Sequence, residues 1–96
     1  MSKHLQKLRT DASLRQKGRC WYCGCKMTTT GATSILRCTA EHLVPRSTGG
    51  GDDVANVVAA CWFCNQTRHR QRYAPSPEKY RQHVHRRLAK GKWHGF

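Results

Sequence analysis

Acidic residues are scarce in this chain, five in 96, and one of them, Glu41, stands directly before His42. Adjacent residues on a strand point to opposite sides, so this carboxylate and this imidazole can serve different roles around one site. A neutral imidazole takes a proton from water near neutral pH, and a carboxylate is a hard ligand for a divalent cation. Downstream come Asn56, Asn65 and His69. The last two are four positions apart and share one face of any helix that carries them. The order is therefore Glu-His, a glycine turn at Gly49-Gly50-Gly51-Asp52-Asp53, an Asn, and a helix presenting Asn and His. That order supplies oxygen and nitrogen ligands for one divalent ion, with a histidine left over as a base.

Six cysteines fall at 20, 23, 25, 38, 61 and 64. Four of them form two C-x-x-C pairs, and Cys20, Cys23, Cys61 and Cys64 read as a tetrahedral zinc site. The short spacing lets both sulfurs of a pair face one ion, and the second pair closes the shell. Four thiolates leave no open position, so this ion is structural and separate from any ion that does chemistry. A disulfide framework is the weaker alternative for a chain expected in a reducing compartment. Cys25 lies so close to the first pair that it can stand in for Cys23 as a ligand. Cys38, in the mixed run Ser34-Ile-Leu-Arg-Cys-Thr, is expected as a buried strand residue. Trp21, Trp62 and Phe63 lie inside the pairs and are expected as core around the zinc. His83 and His85 are two apart, do not share a helix face, and are not expected to form a metal pair.

Taken together, Cys20-x-x-Cys23, Glu41-His42-Leu-Val-Pro45-Arg-Ser-Thr-Gly49-Gly50, Asn56 and Cys61-x-x-Cys64-Asn65-x-x-Arg68-His69 resemble the HNH endonucleases, over residues 20–69. The cysteine pairs resemble those of the phage and restriction branches. The resemblance implies a ββα-metal fold, a two-stranded hairpin and a helix gripping one divalent ion (magnesium, manganese, nickel or zinc), beside the structural zinc. It implies His42 as general base, Asn56 as a brace of the hairpin loop, and Glu41, Asn65 and His69 as ligands of the catalytic ion. Glu41 departs from the commoner Asp, and its extra methylene shifts where an ion would sit. The expected reaction is hydrolysis of a DNA phosphodiester, in which water attacks in line and the accumulating charge must be stabilised. Double-stranded DNA is the expected partner, alongside other phage or restriction components. Arg46, Arg68, Arg70 and Arg72 are candidate phosphate contacts. The competing reading is a catalytically silent, zinc-finger-like DNA-binding module, and a weaker one is a zinc ribbon that docks onto a larger enzyme. Glu41-His42 favours the nuclease, because a pure binder has no use for a carboxylate on a phosphate-facing surface.

The elements that must position these residues follow from spacing and punctuation. Leu5, Leu8, Ala12 and Leu14 give a loose helical pattern over 3–17, with Ser2 as cap and Gly18 as stop. Residues 26–33, rich in Thr and Gly, read as a loop. Ser34–Thr39 reads as a strand continued by Glu41–Pro45, with Pro45 marking a sheet edge. Val54–Ala60 is a second apolar segment, and a helix is expected from Trp62 to Tyr73, interrupted by Pro75. Ser76-Pro77-Glu78 is a cap, a first-turn proline and a first-turn acid for a basic final helix over about 76–90. The tail 91–96 is expected to be mobile. The whole reads as one α+β domain over 1–96, with flanking helices around a core at 20–73.

Composition sets the frame. Eighteen Lys and Arg against five Asp and Glu give a formal net charge of +13, the field of a nucleic-acid binder. A domain this small buries only roughly 60–65% of its unfolded surface and needs a staple such as zinc. No apolar run approaches the roughly 18 residues of a membrane span, and no signal-peptide core is evident. A cytoplasmic protein is expected, in a bacterial host if phage-encoded.

Overall fold

A computed structural model describes residues 1–29 and 33–95. Its described elements are α1 (Lys3–Arg15), β1 (Cys38–His42), a 3₁₀ turn at Arg46–Thr48, β2 (Val57–Cys61), α2 (Trp62–His69) and α3 (Pro77–Ala89). The two strands pair antiparallel, Cys38 opposite Cys61 through His42 opposite Val57. The architecture is α+β: a hairpin, the helix that leaves it, and a helix on either flank.

Each helix begins where the sequence marks it. Ser2 Oγ accepts from the Leu5 amide at 3.1 Å and starts α1. Leu5, Leu8 and Ala12 are buried on one face, and Leu5 and Leu8 pack with Val57 of β2, with Ala40 of β1 against them. Leu14 is exposed and takes no part in the core. The helix stops at Gln16, after which Lys17 and Gly18 take φ values of 57° and 74°. Gln16 then grips the backbone of β2, donating to the Ala59 carbonyl at 2.7 Å and accepting from its amide at 3.0 Å. Ser76 Oγ caps α3 through the Lys79 amide at 3.3 Å, with Pro77 in its first turn.

Four boundaries differ from expectation. The first strand begins at Cys38, because Ser34 turns the chain: its carbonyl accepts from Arg37 N and its hydroxyl from Leu36 N. It also ends at His42 rather than running to Pro45. The second begins at Val57, because Asp53 accepts from the amides of Asn56 and Val57 and folds 53–56 into a turn. The α2 helix ends at His69 rather than Tyr73, where the chain bends so that the Pro75 carbonyl accepts from Arg68 Nε and Nη2 at 3.1 and 2.9 Å. The expected loop at 26–33 lies partly outside the described residues; within it, Lys26 bridges Arg19, and Thr28 bridges Arg37.

The larger core surrounds the cysteines: Tyr22, Ala60, Tyr80, Val84 and Trp93 enclose Cys20, Cys23, Cys61 and Cys64. Tyr22 meets Tyr80 edge-on at 4.9 Å, and Phe63 meets Trp93 at 5.2 Å. Trp21 and Phe63 pack against this core, but Trp62 stands outside it, half-buried beneath the Arg37 guanidinium at 4.6 Å. Cys38 is on the strand as expected, yet only half-buried. The tail is the largest departure: Trp93 and His94 are buried, and the indole N–H donates to Cys64 Sγ at 3.3 Å. Burying an indole removes roughly 150–250 Å² from water, enough to offset ordering a few glycine-rich residues. Among the described residues, no helix is long and apolar enough to cross a membrane.

Candidate functional site

The four paired cysteines come together as the sequence requires. All are buried and reduced, and their sulfurs lie within 4.8 Å of one another, Cys23 and Cys61 at 3.9 Å. Tetrahedral zinc with bonds of about 2.3 Å separates its sulfurs by about 3.8 Å, so this cluster could hold zinc. Cys20 and Cys23 sit on a turn closed by the Cys20 amide on the Cys25 carbonyl and the Gly24 amide on the Cys20 carbonyl. Cys61 and Cys64 straddle the β2–α2 junction, where Cys61 Sγ caps the helix by accepting from the Cys64 amide at 3.4 Å. Hydrogen bonds from Cys23, Cys61 and Cys64 pull the Cys20 thiol strongly toward thiolate. The same sharing, led by the bond with Cys20, pushes Cys23 and Cys64 up. One end of β2 is thus tied to the knuckle turn and to the start of α2.

On β1 the alternation of the strand sends Glu41 and His42 different ways. Glu41 is buried against α2. One carboxylate oxygen, Oε2, accepts from the Tyr22 hydroxyl at 2.9 Å and from Arg68 Nη1 at 3.1 Å. The other, Oε1, meets His69 Nε2 at 2.9 Å. Burial raises the Tyr22 phenol, and the neighbouring Glu41 charge adds to the shift. Asn65, one helical turn before His69, donates its Nδ2 to Thr39 Oγ1 at 3.0 Å and to the Ala40 carbonyl at 3.1 Å. Glu41, Asn65 and His69 therefore lie along one seam between β1 and α2.

Arg68 corrects an expectation. It was a candidate phosphate contact, but it is 1% exposed and belongs to the fold. Its guanidinium joins Glu41 to the carbonyls of His42, Leu43 and Pro75. Arg46, Arg70 and Arg72 are exposed, although Arg46 is ion-paired to Asp52 and Arg72 lies over the Tyr73 ring at 5.5 Å. His85 bonds the Tyr22 carbonyl and His83 stands edge-on to Trp93, so these two histidines make separate contacts.

Asp52 is the residue that sequence reasoning missed. Its Oδ1 lies 2.7 Å from His42 Nε2, and Arg46 grips both of its oxygens at 2.8 to 2.9 Å through Nη2. The bond with His42, and then that with Arg46, holds the Asp52 carboxyl below the usual aspartate range. A carboxylate only accepts, so the hydrogen between them sits on Nε2 and leaves Nδ1 as the basic nitrogen. Asn56 ties the loop that carries Asp52: Oδ1 accepts from Val44 N at 2.8 Å, and Nδ2 donates to the carbonyls of Val44 and Gly51 at 3.0 and 3.1 Å. Gly50 packs so tightly on Val44 that any Cβ there would overlap the Val44 carbonyl. The only sequence signal for Asp52 was its rarity, one of five acids, ten residues after the histidine.

Comparison with curated proteins and with solved structures returned no match. Comparison with family models did: the HNH endonuclease model matches residues 20–71, more than half of the chain. The strands, α2 and all four paired cysteines fall inside that match, consistent with a ββα-metal fold. The span opens at the first cysteine and closes two residues past His69, and on it the chain belongs to the HNH endonuclease family.

Proposed function

We propose that the chain is a metal-dependent DNA endonuclease that hydrolyses phosphodiester bonds with His42 as general base. The observation that carries the reading is the division of labour across β1: Glu41 turns to Arg68 and His69 of α2, while His42 turns to Asp52. A carboxylate oxygen, an amide oxygen and an imidazole nitrogen form a donor set suited to magnesium, manganese, nickel or zinc. Glu41 Oε1 fits this use, because Tyr22 and Arg68 engage the other oxygen and, among the described residues, His69 is its hydrogen-bond partner. Asn65 fits as well, since its nitrogen is committed to β1 and its oxygen remains as the ligand. A divalent ion bound there supplies charge stabilisation for the phosphate in the transition state.

The remaining work falls to the chain. His42 Nδ1 takes the proton from the attacking water, and Asp52 holds the ring in the tautomer that keeps Nδ1 free. Asn56 keeps the loop closed, so that Asp52 stays opposite His42. Arg46, Arg70 and Arg72 draw in the backbone of double-stranded DNA as charge-assisted donors. The silent DNA-binding module remains the second reading, supported by the Glu41–Arg68 ion pair, which offsets the negative charge a cation would seek.

The test is plasmid DNA incubated with the purified protein and magnesium, manganese, nickel or EDTA. Ion-dependent nicking by the wild type and its loss in His42→Ala, with DNA binding retained, is the expected result. Equal nicking by both proteins would sink His42 as the base. No nicking with any ion would favour the silent binder.

A further inference from the structure

Two metal-ligating side chains near the cysteine cluster have no part in the reading above. Cys25 follows the first pair in the knuckle turn, where its carbonyl accepts from the Cys20 amide at 2.9 Å. His94 belongs to the tail, sixty-nine residues after Cys25 in sequence order. Yet Cys23, Cys25 and His94 bring one donor atom each to within 4.8 Å of one another. Cys25 is half-buried and His94 buried, so this is an internal grouping rather than a chance surface cluster.

The tail is built to bring His94 there. Trp93 anchors it, donating to Cys64 Sγ and standing edge-on to Phe63. The next residue then turns back: His94 takes a left-handed φ of 66° between Gly91 at 66° and Gly95 at 79°. Glycine accepts that region freely, whereas a residue with a Cβ is strained there. Such strain persists where the surroundings over-determine it, and it clusters at binding sites. The result sets the imidazole against Phe63 at 5.4 Å, with its donor nitrogen among the sulfurs.

We propose that Cys23, Cys25 and His94 hold a second zinc-class ion beside the one held by Cys20, Cys23, Cys61 and Cys64, with the Cys23 thiolate bridging the two. The inference rests on the four-cysteine cluster holding its own ion. Two sulfurs and one imidazole nitrogen select zinc, cobalt or cadmium over magnesium. Five thiolates and two divalent ions sum to a single negative charge, which a chain of net charge +13 accommodates. The second ion would latch the tail to the knuckle turn, and with three protein ligands it would keep one position open. It would therefore exchange more readily than its four-sulfur neighbour.

The test uses the full chain, stripped of metal under reductant and reloaded with zinc or titrated with cobalt, with the bound metal per chain then measured by elemental analysis. Cadmium-loaded protein gives an independent readout, because cadmium resonances separate a four-sulfur site from a mixed sulfur–nitrogen one. The wild type should take two ions and show two cadmium signals. Cys25→Ser and His94→Ala should each take one, keeping the four-sulfur signal. Saturation of the wild type at one ion overturns the second site while sparing the first, and binding of none overturns both. A one-ion protein whose cobalt spectrum changes in Cys25→Ser marks an exchange of Cys25 for Cys23, which also overturns the bridged pair. Two ions retained in both variants would place the second ion elsewhere. Should His94→Ala fail to fold, the wild-type stoichiometry and Cys25→Ser still decide.

Discussion

Arg68 and Glu41 are each about 1% exposed and joined at 3.1 Å, so each is the other's condition for burial. Removing one partner of a buried pair leaves an uncompensated charge and costs about 3–5 kcal/mol. Arg68→Ala should therefore lower unfolding stability by that amount in denaturant titrations, and a loss below about 1 kcal/mol would contradict the buried role. Arg68→Lys should not restore it, because an ammonium cannot span a carboxylate and three carbonyls as the guanidinium fork does. At the next residue pair, Asp52→Asn keeps the shape but lets the amide donate or accept, so His42 loses its fixed tautomer. Turnover should fall while DNA affinity holds, and unchanged turnover would remove Asp52 from the mechanism. The acid behaviour follows from the sign of the shift. Asp52 is held below the usual aspartate range, so its stabilisation is complete above that range and is lost as pH falls beneath it. Wild type and Asp52→Asn should thus converge in stability only in strong acid. The candidate residues of this seam were legible because few side-chain types bind ions or move protons. Asp52 and the burial of Arg68 were not, since a turn acid and one arginine among eighteen basic residues carry no local mark of a partner.

The β1–β2 connection runs from Leu43 to Asn56 and has no strand or α-helix of its own, so its shape depends on cross-links. Asn56 supplies three side-chain bonds to Val44 and Gly51, and Gly50 supplies the absence of a Cβ where the loop crosses Val44. Gly50→Ala must push the loop off Val44, carrying Asp52 away from His42. Its expected effect is a larger loss of nicking activity than of thermal stability. A variant that is equally active would show that the loop can rearrange without disturbing the pair. How much of this level was readable follows from the kind of signal each element carries. The helix starts at Ser2 and Ser76 were legible because a cap is a local hydrogen bond, and both serines accept from the amide three residues on. The strand start was misread because Ile35 and Leu36 look like strand residues, while Ser34 bonds the backbone into a turn. The end of α2 and the docking of the tail depend on Arg68 reaching Pro75 and Trp93 reaching Cys64. The first is a specific side-chain reach of seven residues that carries no periodic signal, and the second spans twenty-nine residues, beyond a window that slides along the chain.

At the scale of the whole molecule, the net charge of +13 is carried almost wholly by basic residues that no acid matches. Glu41 is consumed by Arg68, Asp52 by Arg46, and Asp11 by Lys7 at 2.8 Å on α1. Most of the acids are thus already matched, and the basic residues left over, four of them on α3, mostly face solvent. Arg81 stacks on Trp21 at 4.7 Å, while Arg86 and Arg87 stand exposed in the last turn. The same helix buries Tyr80 and Val84 in the cysteine core, so the basic face is held rigidly by whatever holds the cysteines. Deleting the C-terminal segment would therefore confound charge with folding, because Trp93 would leave the core with it. Charge is better removed by substitution. Binding to duplex DNA should weaken linearly with the logarithm of salt concentration, by about 0.9 in slope for each phosphate neutralised. Arg86→Gln with Arg87→Gln should leave stability unchanged and flatten that slope by about 0.9 for each of the two that meets a phosphate. Affinity measured at several salt concentrations separates the outcomes. A slope unchanged in the double variant would move the DNA path off α3. A wild-type slope near zero would mean that the excess positive charge does not face the nucleic acid at all.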